Sequence, residues 1–302
     1  MNKKILLIGN DRIDGGTGNY HDEYVDFFRR SLDVASAESV TVEWTLLQDL
    51  YIQVGDGSFL VHDTKTDRDI ADYDVIMIRG KGLRDQFDVV KTISSYANIR
   101  GVKIINDYSS FRDSSKLMQA VQFFQYDLPV SSTVYVNRAV LSGKAPLSIN
   151  FPCVMKAVFG AHGEDNYVVN SMDEVRDIVA GDTKRFVLQR FVPNNGDYRI
   201  LVVGDSVRVI GRKATTGSHL NNTSQGGSAA LVDGSDVPES MLNDSLKISR
   251  ALDMSIAGVD ALIDTETGEY SFLEVNSQPQ LMSGAFVEEK EQLVGEYLKS
   301  IL

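Results

Sequence analysis

Two acids and an amide near residue 270 are spaced to share one face of a hairpin. The apolar runs 256–263 and 270–276 flank the turn Thr265-Glu266-Thr267-Gly268-Glu269. Pairing symmetric about Thr267 sets Asp260 opposite Glu274. Directly opposed Cβ atoms in an antiparallel ladder lie roughly 4.5–5.5 Å apart, and alternation puts Asn276 on the same face as Glu274. Carboxylates that close repel unless a cation lies between them. Ala257, Val259, Leu262, Leu273 and Val275 around them are apolar, which disfavours a solvated edge. A hard divalent ion takes carboxylate, amide and phosphate oxygens. Asp260, Glu274 and Asn276 are therefore candidate metal ligands, the alternative being two surface acids with a capping Asn.

A lysine followed by glycines comes earlier. Lys156 ends an apolar run, and Gly160 and Gly163 flank His162 before the chain returns to apolar Tyr167-Val168-Val169. Glycine lets backbone N–H groups approach phosphate, and lysine adds a point charge. The pattern is neither a Rossmann fingerprint nor a Walker loop, and a plain hairpin turn is its other reading. Arg199, within the strand-like run 198–203, and Arg212, closing 206–211, are charges set in apolar strands, which pair or bind anions. Asn222 and Gly226-Gly227 follow in a polar loop whose alternative is a flexible connection.

These residues need elements to hold them. Residues 4–9, 40–46, 74–78 and 102–106 are expected strands, alternating with helices over 24–32 and 86–99, which implies an open, mostly parallel sheet. Ligands on such sheets gather at strand carboxyl ends. The loop 9–18 and Arg79-Gly80-Lys81-Gly82 lie there, with Arg79 and Lys81 as candidates to hold a substrate carboxylate. Asp113 or Ser114 caps an expected helix to residue 126, with Leu117, Val121 and Phe124 facing a core. Strands are expected at 132–136, 153–157, 185–191, 198–203 and 206–211. Ser171 and Glu174 form a capping box before a helix ended by Gly181, with Val175, Ile178 and Val179 buried. Pro238 opens a helix to 252, and an amphipathic helix covers 284–302. The chain has 302 residues, one cysteine and a net charge of −12. A lone Cys153 excludes a disulfide framework and fits a reducing compartment. The acidic balance argues against a nucleic-acid surface. The apolar run 5–8 is too short for a secretory segment or a membrane span, so a cytoplasmic location without membrane contact is the expectation.

In order, the set is Lys116; Lys156 with its glycine loop; Gln189-Arg190-Phe191-Val192; Asp197-Tyr198-Arg199; Arg212; Asn222 with Gly226-Gly227; Gly258-Val259-Asp260; and Glu274-Val275-Asn276-Ser277-Gln278-Pro279. It resembles the ATP-grasp superfamily, and within it the RimK-like carboxylate–amine ligases, collinearly from about 74 to 284. The resemblance implies an α/β chain with an α+β C-terminal half. An N-terminal parallel-sheet domain would span 1–106, a linker helix and small lid domain 107–184, and a larger antiparallel-sheet domain 185–302. It further implies ATP as cofactor, bound by Lys116, Lys156, Gly160, His162, Gly163, the adenine hinge Gln189, Arg190, Phe191 and Val192, and Asp197. Magnesium, or alternatively manganese, would sit on Asp260, Glu274 and Asn276. Arg199, Arg212 and Asn222 would hold the γ-phosphate and an acyl-phosphate. The expected reaction joins a carboxylate substrate to an amine substrate (an amino acid, peptide or protein terminus), and a homo-oligomer is left open. Arg190 stands where the family commonly has an acid, Ala157 where it has proline, Gln280 where it often has glycine and Gln225 where arginine is frequent. An ATP-grasp kinase and a nucleotide-binding protein without turnover are the other readings.

Overall fold

Ile5, Leu6, Leu7 and Ile8 are apolar in succession, as a strand covered on both faces must be, and all four are buried. The structure, a computed structural model, describes residues 2–10, 20–37, 39–80, 83–109, 115–160, 165–213 and 227–302. β1 (Lys3–Gly9), α1 (Tyr20–Val34) and β2 (Val40–Leu46) form a strand–helix–strand unit. β3 (Leu50–Gly55), β4 (Ser58–Asp63) and β5 (Arg68–Asp69) then make a separate antiparallel sheet. β6 (Val75–Ile78), α2 (Phe87–Arg100) and β7 (Lys103–Ile105) complete the expected parallel sheet, in spatial order β2-β1-β6-β7. The β3–β5 sheet is absent from the expectation for a physical reason: β3 has little buried face, and its Tyr51 and Val54 are exposed. Leu50 and Ile52 are only half-buried, and the exposed Tyr51 and Val54 blur the alternation.

α3 (Lys116–Gln125) begins one residue after Ser115, whose Oγ accepts the Met118 N–H. The expected caps, Asp113 and Ser114, lie outside the described residues. The expected core stripe is corrected too. Val121 is 39% and Phe124 76% exposed, whereas Gln119, Gln122 and Phe123 are buried. Phe123 stacks on Phe272, with ring centroids 5.5 Å apart, and the inward face is partly amide rather than hydrocarbon.

β8 (Thr133–Tyr135), α4 (Arg138–Leu141), β9 (Cys153–Ala157), β10 (Asn166–Val169), α5 (Met172–Ala180) and β11 (Phe186–Arg190) build a second sheet of order β10-β9-β11-β8. Its outer face carries Cys153, Met155, Ala157, Phe186 and Leu188, packed with Val175 of α5. Ser171 Oγ accepts the Glu174 N–H, but Glu174 reaches back to the Asn170 N–H rather than to Ser171. The box closes one residue early.

β12 (Asp197–Val203), β13 (Ser206–Lys213), β14 (Ser228–Val232), α6 (Glu239–Ala251), β15 (Ile256–Ile263), β16 (Tyr270–Asn276) and α7 (Val287–Ile301) complete the molecule. The strands form an antiparallel sheet of order β14-β13-β12-β15-β16. β14 went unexpected because it is an edge strand with Leu231 turned outward. One face of this sheet packs Ile200, Val202, Val259 and Val275 with Met241 and Ile248 of α6 and with Phe123. On the other, Leu201 and Val203 meet Leu293, Val294 and Leu298 of α7, which also pack with Phe27 and Phe28 of α1. α7 starts at Val287 rather than 284, because Phe286 at its N-cap takes a left-handed backbone, φ 62°. Among the described residues, no helix is long and apolar enough to cross a membrane.

Candidate active site

The hairpin behaves as its spacing requires, with one adjustment. Asp260 pairs with Glu274 and Gly258 with Asn276, yet nearer the turn Ala261 pairs with Phe272. Leu273 is therefore an extra residue, a bulge between the acids and the turn. The turn is centred slightly before Thr267, and the bulge restores the opposition of the acids.

The neighbouring strands extend this face. Arg199 pairs with Asp260 across β12 and β15, and Asp197 with Arg212 across β12 and β13. Alternation puts all of them beside Glu274 and Asn276, opposite the side packed on α6. Arg199 Nε and Nη2 donate to the two Asp260 oxygens, each at 2.7 Å. Arg212 Nη2 adds a 2.9 Å contact to Asp260, and its Nε donates to Asp197 at 2.6 Å. Burial penalises the Asp260 charge, but Arg199 and Arg212 more than offset it and hold the carboxyl below its usual range. Asp197 is pushed up by burial against the pull of Arg212.

The second sheet contributes its inner face. Lys156 pairs with Val187 and Asn166, and Gln189 with Val154, all turned away from the Cys153–Leu188 core. Loss of hydration draws the Lys156 amine down to about 8, with Glu274 pulling it up and Lys116 pushing it down. Neither the Lys156 nor the Glu274 side chain has an ion pair or hydrogen bond among the described residues. Lys116 Nζ donates to Gly160 O at 3.2 Å, and its backbone N–H to Val158 O. Gln189 Nε2 donates to Thr133, while Gln189 Oε1 and Asn166 Oδ1 are buried without a partner among the described residues. Such an orphan acceptor costs about 1–3 kcal/mol, which suits a donor-bearing ligand.

Other expected residues are placed less directly. Arg190 donates to Asp264 at 3.2 Å, tying the strand that carries the expected hinge to the β15–β16 turn. Phe191 and Val192 follow β11, with Val192 buried. His162, Gly163, Asn222 and Lys81 lie outside the described residues. Arg79 is buried, donating to Tyr24 Oη and the Pro279 carbonyl. Among the described residues no three His, Cys, Asp or Glu side chains cluster for a metal. A divalent ion would rest on Asp260, Glu274 and the Asn276 amide, a hard-oxygen set completed by phosphate, and the unpaired Glu274 is consistent with that.

Three residues at this site carry no sequence signal of their own. Lys290 of α7 is 5% exposed and donates to Ser283 O; burial and then Arg199 draw its amine down to about 8. The stripe Lys290-Val294-Leu298 over Arg199-Leu201-Val203 places it there. Gln119 and Asn106 bond the backbone around Glu274 and Asn276.

A family model for the RimK-like ATP-grasp domain matches residues 135–292. A tetrahydromethanopterin:alpha-L-glutamate ligase of Methanosarcina acetivorans is 26% identical over 273 residues, covering 77% of this chain and 82% of that protein. Among solved structures, a Chryseobacterium gregarium RiPP-associated ATP-grasp ligase with ADP and a leader and core peptide matches at TM-score 0.68 and 13% identity, covering 99% and 97% of the two chains. The D-Ala:D-Ser ligase VanG of Enterococcus faecalis matches at TM-score 0.67 and 14% identity over the whole of both chains. The structures share the fold; the family model, over more than half of the chain, agrees with the ordered residues above. The chain belongs to the RimK-like ATP-grasp family.

Proposed function

We propose that this chain uses ATP to activate a substrate carboxylate and couples it to an amine, releasing ADP and phosphate. A carboxylate oxygen would attack the γ-phosphorus and ADP would leave. The amine would then attack the acyl carbon, expelling phosphate and losing a proton as the amide forms. Carboxylate and triphosphate repel each other in water, so the protein's task is largely electrostatic. Lys156 of the second sheet and Lys116 at the start of α3 would hold phosphate oxygens. Arg199 and Arg212, now on Asp260 and Asp197, would turn toward the γ-phosphate and the acyl-phosphate, with Asn222 beside them. A magnesium ion on Asp260, Glu274 and Asn276 would supply charge neutralisation for the triphosphate. Gln189 Oε1 offers an acceptor for a nucleobase amine, near the backbone of Arg190, Phe191 and Val192. The second sheet, all but β11 of it in the small domain 107–184, would act as a lid, with Gly160, His162 and Gly163 over the phosphates, keeping water from the acyl-phosphate.

One observation carries this reading: Asp260 and Glu274 stand opposite each other across β15 and β16, with Arg199 bonded to Asp260 and the Glu274 side chain without an ion pair or hydrogen bond among the described residues. The relatives named above act on glutamate, D-amino acids or peptides, which supports an amino acid, peptide or protein terminus as substrate here. A cytoplasmic site of action fits the single thiol and the ATP requirement. The test is phosphate release with ATP and magnesium over pairs of amino acids and peptides. Release that needs both an acid and an amine is expected; a stable phosphorylated alcohol would instead identify a kinase. Glu274→Gln should reduce turnover to background with an unchanged circular-dichroism spectrum, and undiminished turnover would remove Glu274 from the site.

A further inference from the structure

Glu274 and Asn276 alternate along β16 with residues whose backbone is gripped from outside the sheet. Val275, between them, lies on the outer edge of β16, where among the described residues no further strand pairs and only an isolated bridge joins Val130 to Phe272. There the Gln119 carboxamide of α3 acts as a strand of one residue: Nε2 donates to Val275 O and Oε1 accepts from Val275 N, both at 3.0 Å. Ser277, just past Asn276, is gripped by Asn106, the residue that follows β7 of the parallel sheet. Asn106 Nδ2 donates at 2.7 Å both to Ser277 O and to Ile256 O, and Oδ1 accepts from Ile256 N at 2.8 Å. One amide thus joins the outgoing end of β16 to the incoming end of β15. Beyond it, the Gly80 N–H donates to Gln278 Oε1 at 2.9 Å and Arg79 to Pro279 O.

Both carboxamides are buried, at 6% and 4% exposure. A buried amide is retained where each of its groups is satisfied, and it then fixes a single geometry. Hydrocarbon would fill α3's inward face with less polar cost, yet the chain places Gln119 there. Asn106 takes φ 58°, a left-handed backbone that Asn tolerates better than most residues. We propose that Gln119 and Asn106 are positioning residues, which fix the backbone on either side of Asn276 so that Glu274 and Asn276 present their oxygens together to a divalent cation. Partners behind metal ligands typically alter metal affinity by about 10–100-fold when removed. Asn106 directly follows β7, so the end of the parallel sheet takes part in setting a metal site whose ligands it does not supply.

This rests on the metal reading of Asp260, Glu274 and Asn276, and the test separates the two. ADP affinity is measured by calorimetry with excess EDTA and with excess magnesium, and the ratio gives the magnesium-dependent gain. In Gln119→Met, which keeps the side-chain length and loses both bonds, the gain should fall roughly 10-fold or more, with metal-free ADP affinity within about twofold of wild type. Asn106→Gly, which tolerates the left-handed backbone, should behave likewise. Gln119→Glu, which keeps the acceptor for Val275 N, should lose less than Gln119→Met and serves in its place should the Met variant not fold. Val61→Ala, a core truncation in the β3–β5 region, controls for lost stability and should leave the gain intact. A full gain in folded Gln119 and Asn106 variants overturns the proposal, as does an equal loss in Val61→Ala. A wild-type protein that binds ADP equally well without magnesium sinks the metal reading itself.

Discussion

Lys156 holds its charge with difficulty, and that makes it readable in solution. With an amine at about 8 in the folded protein, nucleotide affinity should bend downward above about pH 8, and Lys156→Met should remove the bend while weakening binding at pH 7. Stability should move the opposite way. An unfolded lysine titrates near 10.4, so between about 8 and 10.4 the unfolded chain binds more protons and folding stability rises with pH. Lys290, also near 8, adds to that rise. Urea midpoints from pH 7.5 to 10.5 check it; a flat profile would mean that both amines keep their ordinary hydration. Lys156, Asp260 and Glu274 were legible because they are charges inside short apolar runs. Gln119, Asn106 and Lys290 were not, since each acts on backbone or side chains far away in sequence, and no local period records that.

α3 shows where periodicity misleads at the scale of an element. Leu117, Val121 and Phe124 have helical spacing, but the buried face runs through Gln119, Gln122 and Phe123, because α3 seals an open strand edge and so needs amides. Phe123→Ala should therefore cost about 3–5 kcal/mol and Phe124→Ser less than about 0.5 kcal/mol. Denaturant unfolding of the pair measures both, and the reverse order would restore the apolar stripe. The β15–β16 hairpin was legible for the opposite reason: both strands alternate against a core, so register follows from which residues must be buried. Only the bulge at Leu273 escaped, being a local twist that leaves the burial pattern intact on either side. β3 and β14 escaped altogether because neither has a buried face to announce it.

In the whole molecule, a parallel sheet followed by antiparallel ones was readable from the order of runs, whereas the way they lock together was not. The lock is α7 against α1, and it is tight: a methyl group built on Gly295 would lie 1.9 Å from the Ser31 carbonyl oxygen. Gly295→Ala gains about 1 kcal/mol of helix propensity, yet it must push two backbones apart. A net loss of about 1–3 kcal/mol is expected, read as a lower urea midpoint; a more stable variant would mean that the helices separate without cost. The same contact governs how the molecule is made. Phe27 and Phe28 leave the ribosome long before Leu293, Val294 and Leu298, which pack in the same core. A nascent chain therefore carries this aromatic flank without its α7 cover until α7 emerges, the kind of surface that chaperones hold. A fragment ending near residue 110 should aggregate or bind a hydrophobic dye where the full chain does neither.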